Sequence, residues 1–274
     1  MRPAGEAVSR LERIGRRIYW WLERRLAPGL RSSQRVYFDR LTQHLPKFAA
    51  WLDLGSGHQV FASYMEPEER QITARSGLFV GVDPDRISLS RHRHLARPVA
   101  ARAEQLPFPG GVFDIVTANM VVEHLANPAA AFAEARRVLR PGGVLLVHTP
   151  NRRNIKVRAA ARLPGFLKNR LTRLLEQRAE EDIFPTLYRC NTSEAVQAAA
   201  RAAGLRLEAL ELFDDTATFA LIAPLAILEL LVIRLCRHPR LAGLRSNMIF
   251  ALRSGAESDP PAGPLREDIP AGPG

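Results

Sequence analysis

A chain of 274 residues with 46% hydrophobic composition can bury one sizeable core with additions, and it is too short for two equal domains of that size. Its two cysteines, Cys190 and Cys236, lie far apart with no C-x-x-C pair, which argues against a disulfide framework or a zinc site and fits a reducing cytoplasm. The net charge of +11 is concentrated in two places, with ten Arg against four acids in residues 1–40 and nine Lys or Arg against Glu176 in residues 152–178; such segments attract anionic membranes, phosphorylated acceptors or nucleic acid.

In chain order, Val8, Leu11, Ile18 and Leu22 recur at helical spacing between Glu6 and Leu26. Trp20 and Trp21 edge that stripe, and six arginines fill most of the remainder until Pro28-Gly29 stops the helix. The favoured reading is an N-terminal helical lid over residues 1–46 packed on the core; the other is a helix lying in a membrane interface. No apolar h-region precedes it, so no secretory signal is expected. A second helix, roughly Ser33 to His44, leads to the first strand.

Trp51-Leu52-Asp53-Leu54 is then an apolar run carrying one acid, followed by Gly55 and Gly57. A buried parallel strand running into a tight turn at a helix start has this form, and the glycines let backbone approach a ligand. Leu78 to Asp83 is a second apolar run ending in an acid, placed to take both hydroxyls of a ribose. The alternation continues with strands near 98–101, 113–118 and 143–149 and helices near 59–70, 85–94 and 127–139, which predicts right-handed crossovers and a mostly parallel sheet. His92 and His94 fall on the second of these helices and are expected to face solvent.

Beyond Asn151 a basic insertion is predicted over 151–190. Asn191 to Glu194 caps a helix through Ala203, followed by a sixth strand over Leu205–Phe213. Phe219 to Ile233 is apolar except for Glu229 and, at fifteen residues, too short to span a bilayer. A buried or dimer-interface helix hairpin within 214–246 is favoured there, over a monotopic membrane contact. A seventh, antiparallel strand over 247–253 follows, and the Pro/Gly-rich stretch 255–274 reads as a disordered tail.

Leu52-Asp53-Leu54-Gly55-Ser56-Gly57, Gly81-Val82-Asp83, Leu106-Pro107-Phe108 with Phe113-Asp114-Ile115-Val116, and Arg137-Val138-Leu139-Arg140-Pro141-Gly142-Gly143 occur in one order between residues 48 and 151. This set resembles the class I S-adenosylmethionine (SAM)-dependent methyltransferases, closest to their small-molecule and lipid-linked branch. The resemblance implies an α/β fold with a Rossmann-like seven-stranded, mostly parallel sheet, helices on both faces, N-terminal helices and an apolar helical insertion before the last strand, with residues 47–254 as the catalytic domain. It implies SAM as cofactor. Asp53, Gly55 and Gly57 would form the turn around its amino-acid end, Asp83 would accept the ribose hydroxyls, and Pro84 and Asp85 would border the adenine. Ala103 and Glu104 would lie along the adenine edge, and Asn119 beneath the methionine portion.

Two positions depart from the family pattern. Gln59 stands where a third glycine is frequent. Arg102 stands where an aspartate often meets the adenine amino group, and Arg cannot accept that bond. Candidates for an acid–base or substrate-orienting residue are His124, His148 and Tyr188. No His/Cys/Asp cluster has metal-ligand spacing, so no metal is expected. The function expected is methyl transfer to oxygen or carbon of a small-molecule or lipid-linked acceptor, in the cytoplasm or at the inner face of an anionic membrane, with 219–233 available to pair two copies. An RNA or DNA methyltransferase fits the charge, but neither a base-flipping motif nor a nucleic-acid module is present. A non-catalytic partner protein with the same fold is the third reading.

Overall fold

The computed structural model describes residues 10–162, 185–215 and 223–255. Most of the basic insertion, the start of the apolar stretch, residues 1–9 and nearly all of the expected tail lie outside the described residues. The elements are α1 (Arg10–Leu26), α2 (Ser33–His44), β1 (Ala50–Leu54), α3 (Glu66–Ala74), β2 (Leu78–Asp83), α4 (Arg86–Ser90), β3 (Arg97–Ala100), β4 (Phe113–Asn119), α5 (Pro128–Val138), β5 (Leu139–Pro150), α6 (Ile155–Arg162), α7 (Ser193–Ala202), β6 (Leu205–Phe213), α8 (Ala223–Cys236) and β7 (Asn247–Ser254). Short 3₁₀ turns stand at Ser63–Met65, Val122–His124 and Pro239–Leu244.

The seven strands form one sheet in the order β3-β2-β1-β4-β5-β7-β6. β1 lies parallel between β2 and β4, with Asp53 opposite Gly81 on one side and Thr117 on the other. β7 is antiparallel to both β5 and β6. Because β1 is covered on both faces, all five of its residues are buried and it reads as a continuous apolar run rather than an alternation. Leu52, Val80, Val116 and Leu145 pack toward Phe132, Ala135 and Val138 of α5 and Val196 of α7. Trp51, Phe79, Ile115 and Leu146 pack toward Tyr37 and Leu41 of α2 and Ile72 of α3.

Local signals set several boundaries as expected. The Asn127 side chain accepts from the Ala130 N–H at 3.1 Å and Pro128 opens α5. At α7 the capping side chain is Thr192, which accepts from the Ala195 N–H at 3.3 Å. Asn191 turns inward instead and donates to Thr149 Oγ1 at 2.7 Å and to the Pro150 carbonyl at 3.0 Å.

Three expectations are corrected. The helix predicted from residue 59 begins at Glu66, after the 3₁₀ turn, because the N–H groups of Val60 and Phe61 are both taken by the Glu69 carboxylate at 3.1 Å. The helix predicted over 85–94 ends at Ser90. Beyond it His92 turns into the core, buried against Phe79 and 3.7 Å from Glu69, and His94 is half-buried, 3.2 Å from Glu66. Neither faces solvent. Burial pushes the His92 pKa down to about 4, so the ring is neutral at pH 7.

Among the described residues, the apolar stretch before β7 forms one helix, α8, followed by a 3₁₀ turn, with no second α-helix to make the expected hairpin. Its inner side meets α1: Tyr19, Ala27, Ala226, Leu230 and Ile233 form a small core of their own, with Leu22 and Leu26 against it. Of the two N-terminal helices, α2 is the one that packs on the sheet. Among the described residues no helix is long and apolar enough to cross a membrane.

Candidate active site

The carboxyl ends of β1, β2 and β4 bring the predicted cofactor residues together. Asp53 is fully buried on β1. Its Oδ1 accepts from the Thr117 hydroxyl at 2.5 Å, and Thr117 in turn accepts from Trp51 Nε1 at 2.7 Å. Burial raises the Asp53 pKa to about 7 against the lowering effect of the Thr117 and Ser56 hydroxyls. The carboxylate therefore anchors the strand end through one hydroxyl that is itself anchored.

Beyond it the chain turns with Gly55 at φ +65° and Gly57 at φ +48°. Gly57 donates its N–H to Asp83 Oδ2 at 3.1 Å, and Asp83 Oδ1 accepts from the Asp85 N–H at 2.8 Å. The glycine turn and the acid ending β2 are thus a single hydrogen-bonded unit. Burial raises the pKa of Asp83, opposed by those two N–H bonds. A Cβ on Gly55 would stand 2.4 Å from Val121 Cγ2. Gly55→Ala is therefore expected to cost about 1–3 kcal/mol through strain at positive φ and the clash, seen as a lower midpoint of thermal unfolding. An unchanged midpoint would show that Val121 yields freely.

Asp85 sits at the edge of this unit. Its carboxylate caps α4, accepting from the Ile87 N–H at 2.9 Å and the Ser88 hydroxyl at 2.7 Å. Ala103 is buried, Glu104 is half-buried, and the exposed Arg102 turns to Glu104, its Nε 3.6 Å from that carboxylate.

Asn119, at the end of β4, is held on every side. Its Nδ2 donates to the Val60 carbonyl at 2.7 Å and to Gln34 Oε1 at 2.9 Å, and its Oδ1 lies 2.7 Å from His148 Nδ1. With the amide nitrogen committed to two carbonyl-type acceptors, the oxygen faces His148, and the ring must carry its proton on Nδ1. His148 is fully buried between Tyr37 and Phe213, its ring centroid 5.5 and 5.9 Å from theirs. Burial pushes its pKa down to about 4. This histidine is a neutral prop beneath Asn119, enclosed by aromatic rings.

His124 and Tyr188, 64 positions apart in number, are brought to one place. His124 Nδ1 lies 2.9 Å from the Pro185 carbonyl, while the N–H groups of Leu187 and Tyr188 both donate to the Glu123 carbonyl, at 2.7 and 3.0 Å. Tyr188 holds φ +50°, a costly conformation for a bulky residue. Under this clamp the buried Glu123 accepts from Thr149 Oγ1 at 2.7 Å, which also accepts from Asn191. Glu123, Gln34, Thr117 and Glu69 carry no spacing that marks them in the sequence; only the pairing of strands and helices reveals their parts. Among the described residues no group of three or more His, Cys, Asp or Glu side chains is arranged to hold a metal ion.

Residues 30–210 match the family model described as a methyltransferase domain. A relative named "probable S-adenosylmethionine-dependent methyltransferase" from Mycolicibacterium smegmatis is 41% identical over 137 residues, covering 47% of this chain and 50% of that protein. A malonyl-[acyl-carrier protein] O-methyltransferase from Serratia marcescens is 32% identical over 99 residues, 36% of this chain and 37% of its own length. The chain thus spans half or less of these curated relatives. Among solved structures, geranyl diphosphate C-methyltransferase from Streptomyces coelicolor aligns with a TM-score of 0.52 at 14% identity, covering 80% of this chain and 79% of that one. At that identity the likeness is one of fold.

Proposed function

The chain belongs to the SAM-dependent methyltransferase family, and on that premise we propose that it moves a methyl group from SAM to oxygen or carbon of a small-molecule or lipid-linked acceptor. The observation that carries the reading is the bond from the Gly57 N–H to the Asp83 carboxylate. It joins the Gly55–Gly57 turn to the acid that would take a ribose. The cleft's chemistry fits the cofactor. Each Asp83 oxygen accepts one backbone N–H and so keeps lone pairs for two vicinal hydroxyls. A Cβ at Gly57 would project to 3.9 Å from Asp83 Oδ2, into the space that a nucleoside needs.

In this reading Asp53, Gly55 and Gly57 shape the turn around the amino-acid end, and Asn119 lies beneath the methionine portion with His148 fixing its amide. Pro84, Ala103 and Glu104 border the adenine, and Asp85 stiffens that border as a cap. SAM supplies a methyl carbon already activated by its sulfonium leaving group. The chain's task is orientation and, for a weakly acidic acceptor, removal of one proton. His124 and Tyr188 are the residues assigned to orient the acceptor or take that proton.

Support for such acceptors comes from the relatives' names, among them a malonyl-[acyl-carrier protein] O-methyltransferase and a ubiquinone/menaquinone biosynthesis C-methyltransferase. The same reading has the enzyme working in the cytoplasm, at the inner face of a membrane when its acceptor is lipid-linked. Incubation of the protein with methyl-labelled SAM and cell extract, followed by partition, tests the acceptor class. Label is expected in the small-molecule or lipid fraction; label confined to nucleic acid would overturn it.

A further inference from the structure

Between the glycine turn and α3 the backbone runs from His58 to Ala62 without a helix. Val60 and Phe61 are buried there, so their N–H groups have no water to turn to and need a partner within the chain. Glu69, in the first turn of α3, supplies it: its buried Oε2 accepts from both, at 3.1 Å. The Phe61 N–H and the Val60 carbonyl belong to one peptide unit, which is planar and trans, so the two groups point in opposite directions. A helix winding straight out of the turn would spend that carbonyl on the N–H four residues on. Held by Glu69, it accepts instead from Asn119 Nδ2 at 2.7 Å. Glu69 and Asn119 therefore grip a single rigid plane from its two sides. The loop is steadied by the Phe61 ring, 5.8 Å from that of Tyr37 and 5.6 Å from that of Phe38 on α2. Behind the carboxylate, Glu69 Oε1 faces the buried His92, whose Nε2 is 3.7 Å away.

We propose, resting on the placement of Asn119 beneath the methionine portion of the cofactor, that Glu69 is a positioning residue for the methyl donor. It acts through the Val60–Phe61 peptide, which it orients so that the Val60 carbonyl can fix the Asn119 amide. The other partners of that amide, Gln34 Oε1 at 2.9 Å and His148 Nδ1 at 2.7 Å, come from α2 and β5. Val60 alone ties Asn119 to the loop that follows the glycine turn. Without the carboxylate, two buried N–H groups would be left unpaired, and the plane would rotate to find them partners. The Asn119 nitrogen would then lose its shortest bond. What the position requires is an acceptor oxygen of the right reach, because both bonds to the loop end on one atom, Oε2.

The test is calorimetric titration of the full chain with S-adenosylhomocysteine, set beside thermal unfolding and hydrogen exchange at the Val60 and Phe61 amides read by NMR. Glu69→Ala is expected to raise the dissociation constant by about tenfold and to speed exchange at both amides. Glu69→Gln keeps an oxygen that can take both N–H groups and is expected to stay within about threefold of the parent. Glu69→Asp keeps the charge but is one methylene shorter. It is expected to side with the alanine variant, and it keeps the test open if that variant does not fold. Glu69→Ala combined with Asn119→Ala is expected to bind within about twofold of Asn119→Ala alone, since both cut one series of contacts. A lower midpoint of unfolding with no change in affinity would overturn the proposal, leaving Glu69 as a brace for the fold; so would losses that add in the double variant. Equal amide exchange in parent and Glu69→Ala overturns the part given to Glu69 alone. A parent chain that does not bind S-adenosylhomocysteine overturns the cofactor placement, and this role with it.

Discussion

Asp83→Ala is expected to raise the dissociation constant for S-adenosylhomocysteine by about 10–100-fold, the equivalent of roughly 1–3 kcal/mol for buried hydroxyls left without an acceptor. Isothermal titration calorimetry measures it directly. The substitution acts twice, because Asp83 also holds the Gly57 and Asp85 N–H groups, so the turn loosens as the ribose loses its partner. Asp83→Asn keeps one acceptor oxygen without the charge and is expected to fall between parent and alanine variant. A dissociation constant unchanged in Asp83→Ala would mean that the ribose lies elsewhere and that the acid ending β2 is only a strut for the turn.

The second large effect concerns Asp53 and pH. Folding moves its pKa from 3.8 up to about 7, so between those values the folded chain holds a proton that the unfolded chain has released. The resulting stabilisation is fully present below the unfolded value and is lost as pH rises through the folded one. Over the whole window it amounts to on the order of 4 kcal/mol at about 1.4 kcal/mol per pH unit. Asp53→Asn is neutral at every pH and still offers an oxygen to Thr117. Its stability relative to the parent is expected to climb by several kcal/mol, about 2–4, between pH 4 and 7 and then to level off. His92 and His148, lowered to about 4 by burial, work in the opposite sense and cost stability as pH falls below their unfolded value. Both are present in parent and variant, so they cancel in the difference. Denaturant unfolding of the two proteins across pH 4–9 measures that difference, and a flat line would refute the buried-carboxyl account.

What could be read from the sequence was what is local. The run Trp51 to Leu54 followed by Gly55 and Gly57 announces a buried strand and a tight turn within seven residues, and Asp83 closes the next strand in the same manner. The Asn127-Pro128 cap and the alternation of strand and helix are legible for the same reason. Misreadings arise where a distant group overrules a local pattern. Val60 and Phe61 sit where a helix was expected, but the Glu69 carboxylate takes their N–H groups. His92 lies among arginines in the sequence yet enters the core behind Phe79. His148 looks like a candidate base at a strand end, and its enclosure by Tyr37 and Phe213 becomes visible only once α2 and β6 are in place. Gln34 is silent for a related reason: nothing in α2 marks one glutamine as the partner of an asparagine 85 positions away.

The antiparallel placement of β7 between β5 and β6 has a consequence for how this protein can change. Where parallel neighbours require a crossover of fixed hand, β6 and β7 are joined by a connection that leaves and re-enters the sheet at one rim. Its length and content are therefore unconstrained by strand geometry. Segments of other sizes grafted between Phe213 and Asn247 would alter what the protein meets outside while leaving β1 and β2, at least three strands away toward the other flank, undisturbed. What this rim presents and how the β1–β2 half is built are mechanically separable in this architecture, and recombination could exchange one without retuning the other.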